Sequence, residues 1–152
     1  MKRFLQARPV WGFLGFAVAD IICTGAGMGV PIFCILLGFP VGYAIARSLV
    51  TRPLTFRELL TKMLRCAALT SAFTFLLMAV LWGPVATRLA DPAFDVANFG
   101  IPLILYVPLA SFVGWLVLMI VVSPFLQLLT TLFGAHVTLL WWLGRDPDRG
   151  FS

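Results

Sequence analysis

Apolar positions in this chain form long runs; neither a strict alternation nor a narrow helical stripe describes them. Residues 9 to 46 carry one charged side chain, Asp20. Residues 66 to 87 carry none, and neither do residues 96 to 144, where the single histidine, His136, is found. A helix in water needs a polar face, and runs this long and apolar have none. A hydrocarbon layer of about 30 Å takes roughly 20 helical residues. A barrel strand would instead read as about ten residues of alternating hydrophobicity. The pattern therefore predicts an all-α integral membrane protein, a helical bundle forming a single domain over residues 1–152.

The punctuation of the runs predicts five spans, at about 10–26, 30–48, 66–83, 100–122 and 125–143. Gly25 to Pro31 reads as a tight hairpin, Trp82-Gly83-Pro84 as a span end, and Ser123-Pro124 as a break between the last two spans. The first run is short for a bilayer, and the last carries no charge to fix its ends. The alternative is four spans plus a re-entrant or interfacial helix.

Between the second and third spans the chain turns basic. Arg47, Arg52, Arg57, Lys62 and Arg65 face one acid, Glu58. Thr55-Phe56-Arg57-Glu58 matches a capping box, so a helix is expected to start near Phe56. Its residues Leu59, Leu60, Met63, Leu64 and Ala67 share one face, with Arg57, Glu58, Thr61, Lys62 and Arg65 on the other. Segment 52–65 is thus an amphipathic, basic entry to the third span, with Arg52, Arg57, Lys62 and Arg65 expected at lipid headgroups. The excess of basic residues places the N-terminus and the 49–65 loop in the cytoplasm, and five crossings would put the C-terminal tail outside. The short loops and basic inner face fit a bacterial-type inner membrane. Asp20 inside the first run argues for an uncleaved span over a signal peptide.

The chain is 61% hydrophobic and 11% charged, with a net charge of +5. Its basic residues border apolar runs, so they match a membrane surface and give no reason to expect nucleic acid. Cys23, Cys34 and Cys66 have no metal-ligand spacing, and one histidine leaves no bis-histidine haem site. No metal site and no cofactor is read from the sequence.

Asp20 is the residue hardest to reconcile with lipid. An ionised aspartate at mid-bilayer costs about 2.5–3.5 kcal/mol. Either a partner offsets that cost or the carboxyl keeps its proton. The functional reading is a proton- or cation-binding carboxylate, and the structural one a capped or protonated side chain near the hairpin. In the last span Gln127, Thr130, Thr131, Gly134 and Thr138 share one helical face, and His136 lies opposite. That stripe reads as a helix contact or as a polar lining, and pairing of Asp20 with His136 is an open possibility. Gly38, Gly42 and Ala46 form a small-residue face for close packing, within the bundle or between copies. Pro40 and Pro108 should kink their spans. Asp91 and Asp95 read as a solvated loop. Gly29-Val30-Pro31-Ile32 and Gly100-Ile101-Pro102-Leu103 faintly echo each other at two span starts, a pattern that helix-start chemistry also produces.

No metalloprotease, nucleotide-binding or serine-hydrolase motif is present. The sequence thus leads first to a non-catalytic subunit or self-assembling bundle of a membrane complex. Its expected partners are lipid, a second copy or other membrane subunits. A small-solute or proton-coupled transporter using Asp20 comes second, and a membrane-embedded enzyme of unfamiliar type last.

Overall fold

Helices account for nearly all of the computed structural model, which describes residues 9–26, 32–51, 55–91, 93–96 and 104–145; no strand occurs among them. Helix α1 is Pro9–Ala26, α2 is Ile32–Val50 and α3 is Phe56–Thr87, extended by a 3-10 turn at Arg88–Ala90. Helix α4, Pro108–Val117, passes through a π turn at Leu118–Val122 into α5, Ser123–Arg145. Three runs are long and apolar enough to cross a membrane: Ile32–Val50, Phe56–Ala90 and Pro108–Gly144. Residues Trp11–Thr24 form a shorter apolar helix. Arg52, the glycine-rich hairpin at 27–31 and the start Gly100-Ile101-Pro102 lie outside the described residues.

The capping box at α3 forms as expected. The Thr55 N–H donates to Glu58 Oε2 at 3.1 Å, and the Glu58 N–H donates to Thr55 Oγ1 at 3.4 Å. Leu59, Met63 and Ala67 are buried below it, continuing through Thr70, Thr74 and Met78. Leu64, expected on the same face, is exposed. Lipid solvates leucine as well as a core does, so apolar character does not decide which way a residue faces.

The break expected at Ser123-Pro124 is not there. The helix widens into a π turn just ahead of Pro124, and the Ser123 N–H bonds to Leu118 O. The Ser123 hydroxyl adds a second bond to the same carbonyl at 2.7 Å. A proline ring clashes with the carbonyl four residues earlier in a regular helix. A local π adjustment and neighbouring hydroxyls accommodate it inside a membrane helix. The two expected spans 100–122 and 125–143 are therefore one helix from Pro108 onward. Its 37 residues run about 55 Å, against about 30 Å of hydrocarbon.

Helices α2 and α5 make the closest contact. Gly38 lies against Gln127, Thr130 and Thr131, and Gly42 against Thr131 and Ala135. A Cβ on Gly38 would stand 2.8 Å from Gln127 O, and one on Gly134 would stand 2.7 Å from Phe39 O. Thr130 Oγ1 reaches across to donate to Ile35 O at 2.7 Å. Residue numbers rise together along this contact, so the two helices are parallel. Ala46, Leu49, Leu59, Met63, Ala135 and Leu139 then close one end of the bundle. At a deeper level Ser71 Oγ donates to Pro124 O at 2.7 Å, which sets α3 antiparallel to α5. The end of α5 thus emerges beside the connection from α2 to α3. The further crossing expected between 122 and 125 is absent because the helix is uninterrupted; the tail itself lies outside the described residues.

Helix α1 closes the bundle on the far side of α2 and α3. Thr24 Oγ1 meets Cys34 Sγ at 3.3 Å. The rings of Phe13 and Phe16 meet Phe73 at centroid distances of 5.7 and 5.9 Å.

The glycine contacts make a sharp comparison. Gly42→Ala forces backbone apart and should destabilise the bundle by roughly 1–3 kcal/mol. Gly15→Ala, with nothing within 4 Å, should leave the melting temperature in detergent unchanged or slightly raised. The cap gives a pH dependence. Hydrogen bonds from the Thr55 backbone and hydroxyl hold the Glu58 carboxyl below its usual range. Its contribution is present above the ordinary carboxylate pKa and is lost as pH falls through the lowered value. Protection of the Thr55 amide against hydrogen exchange should fall over that acid range, and Glu58→Ala should abolish the dependence.

Candidate functional site: a buried polar layer

Most polar residues of the long apolar helices gather inside the bundle. Asp20 is 0% exposed. Its Oδ2 accepts from Thr74 Oγ1 at 2.6 Å, a bond between α1 and α3. Thr74 Oγ1 also lies 3.2 Å from Thr70 O within its own helix. Thr24 Oγ1 donates to Asp20 O at 2.8 Å, and the Cys34 thiol on α2 adjoins the carboxyl group. Asp20 Oδ1 is buried with no hydrogen-bond partner.

Gln127 on α5 is 1% exposed, and both Oε1 and Nε2 lack partners. Its backbone carbonyl is well supplied, accepting from Thr130 at 3.0 Å and Thr131 at 2.8 Å. A buried polar group without a partner is uncommon and costs about 1–3 kcal/mol. The only other such side-chain atom among the described residues is Trp115 Nε1 on α4.

Depth can be read from the contacts. Gly38 is level with Gln127 to Thr131, and Cys34 is one turn earlier on α2. Thr24 and Asp20 flank Cys34 from α1. Thr74 is one turn above Ser71, which meets Pro124. Asp20 is thus held at the level of Thr74, about a turn beyond the Ser71–Pro124 contact, and Gln127 lies about a turn on the other side of that contact. Thr70, Thr74 and Thr131 are buried as well.

The residues singled out by sequence divide clearly. Asp20, Gln127 and Thr131 are buried together in this region, and Thr130 is bonded to α2. His136 is elsewhere: it is exposed, and its Nδ1 lies 2.8 Å from Leu132 O. The pairing of Asp20 with His136 does not form, because His136 points out on the face opposite Gln127. Gly38, Gly42 and Ala46 pack within the chain against α5, so that face is not free for a second copy. Asp91 accepts from the Ala93 N–H at 2.9 Å, closing a turn after α3. Arg57, Lys62 and Arg65 stand exposed beside Glu58 at the bundle end. No group of three metal-ligating His, Cys, Asp or Glu side chains occurs among the described residues.

Thr74 was not among the sequence candidates. Its signal was the spacing of Thr70 and Thr74 on the buried stripe of α3. Thr74→Val keeps the volume and removes the hydroxyl. It should lower stability in detergent by roughly 0.5–2 kcal/mol, the range of hydrogen bonds between membrane helices. The loss should vanish in an Asp20→Asn/Thr74→Val cycle if the two groups act as a pair. Comparison with protein-family models, curated proteins and solved structures gives no match.

Proposed function

We propose that this chain is a small proton-coupled membrane transporter whose proton-binding group is Asp20. The observation that carries the reading is a fully buried carboxyl inside an apolar bundle, with Oδ2 bonded to Thr74, Oδ1 without a hydrogen bond and the Cys34 thiol beside it. An acid is not needed to hold helices together here. Thr130 joins α5 to α2 with a neutral hydroxyl alone. A carboxyl kept within lipid despite its cost marks a proton or ion path by default.

The proton count at Thr74 supports the same reading. One hydroxyl proton cannot serve both Asp20 Oδ2 and Thr70 O. If Asp20 holds a proton, its O–H donates to Thr74 Oγ1, and Thr74 donates to the Thr70 carbonyl. Both short contacts are then satisfied. In this reading α1 to α3 and the joined α4–α5 each cross once. The N-terminus, the 49–65 segment and the C-terminal tail then share the cytoplasmic side, as the basic residues require.

A non-catalytic subunit is the second reading. It is favoured by the exposed apolar stretch Ile104, Leu105, Tyr106 and Val107 ahead of α4, at the end away from Arg57, Lys62 and Arg65. The self-assembly argument from Gly38 and Gly42 no longer supports it.

Proteoliposomes loaded with a pH-sensitive dye and given a pH step test the transporter reading. The wild-type chain should dissipate the gradient, and Asp20→Asn should fall to the rate of empty vesicles. Equal rates for both proteins would remove Asp20 from any proton path.

A further inference from the structure

We infer that Gln127 is the second half of the proton site, its side-chain amide N–H closing on Asp20 Oδ1. The inference rests on the reading of Asp20 as a proton-binding group and adds its partner. Three buried polar atoms on either side of the Ser71–Pro124 contact are unpartnered: Asp20 Oδ1, Gln127 Oε1 and Gln127 Nε2. They are chemically complementary, since Oδ1 can only accept and Nε2 can only donate.

Geometry favours their meeting. On α5, Pro124 faces α3 through Ser71, and Thr130 faces α2 through Ile35. Gln127 lies between those two directions, so its side chain points into the groove that α1 closes. Side chains lean toward the N-terminal end of their helix. Gln127 therefore leans toward Pro124 and the level of Ser71 and Thr74, where Asp20 is bound. No hydrogen bond fixes its amide, which leaves it able to turn toward Oδ1.

The pair works as a switch. With the proton on Asp20, Oδ2–H donates to Thr74 and Oδ1 accepts one N–H. When the proton leaves, the carboxylate accepts from both Thr74 and Gln127, and those two bonds replace its hydration. The titratable group adjoining Asp20 from α2 is Cys34, and Cys23 is on its own helix. Thr74 from α3 and Gln127 from α5 bring no charge. His136 faces outward and is not part of the site.

Infrared difference spectra of the full chain in lipid vesicles test this without any transported solute. The wild type should show a protonated-carboxyl C=O band that Asp20→Asn removes. Gln127→Leu should move that band to higher frequency, because the carbonyl loses a donor. It should also shift the pH at which the band disappears upward by about one to two units, the value of a hydrogen bond to a charged group. Thr138→Val, which removes a hydroxyl bonded to Gly134 O within α5, should move neither. If Gln127→Leu does not fold, the side-chain amide ¹⁵N resonance of Gln127 in the wild type should follow the same pH course. A band present but unmoved by Gln127→Leu, or an amide resonance constant with pH, overturns the pairing and leaves the proton on Asp20. A wild type with no Asp20 band at any pH overturns the underlying reading as well.

Discussion

The contact of α2 with α5 is the constraint on which the rest of this structure depends. Between lipid-solvated helices the hydrophobic effect supplies no net attraction, so packing and hydrogen bonds must hold them. Gly38, Gly42 and Gly134 let the two backbones touch, which brings many atoms to van der Waals distance and puts Ile35 O within reach of Thr130. This contact fixes depth and rotation together. Once Gly38 meets the backbone at Gln127, the Gln127 side chain has only the interior to enter. Helix α3 then fills the groove left by the pair, and α1 covers the opening.

The bundle is sorted in the reverse sense to a soluble protein. Val18, Ile22, Leu69, Val80 and Val121 are exposed, while Thr24, Thr70, Thr74, Ser111, Ser123 and Thr131 are buried. Lipid accepts aliphatic side chains but offers no hydrogen bonds, so hydroxyls turn inward and bond to carbonyls of their own or a neighbouring helix. Most of those hydroxyls complete their bonding locally. Asp20 and Gln127 are the groups whose capacity exceeds what nearby backbone supplies, and that excess makes them chemically distinct.

What the sequence discloses follows from the same physics. The runs around α1, α2 and the entry to α3 were legible because charges mark their ends, and Thr55 with Glu58 announces a helix start. The polar stripe of α5 was legible because threonine and glutamine stand out against leucine. The join at Ser123-Pro124 was not, since proline is a break signal in isolation. Its effect is cancelled by a π turn that no side-chain pattern encodes. That join makes one helix of two expected spans. His136 faces away from the Gln127 stripe, as its spacing predicts, and that facing keeps it from Asp20. Leu64 was not legible, being as content in lipid as in a core.

The π turn at 118–122 also changes what a length difference would mean in this chain. Each residue of an α-helix advances the face by about 100°. The π turn takes up one more residue than a regular turn for the same rotation, so deleting one residue there would restore a regular helix and leave Phe112 and Leu116 on the side of Gln127 and Thr131. Forcing 118–122 into regular helix without a deletion would instead turn Phe112 and Leu116 by about 100° relative to Gln127. The buried positions Phe112, Leu116, Met119, Ser123, Gln127 and Thr131 follow one side of the run, and the turn absorbs a difference in length without changing which way they face.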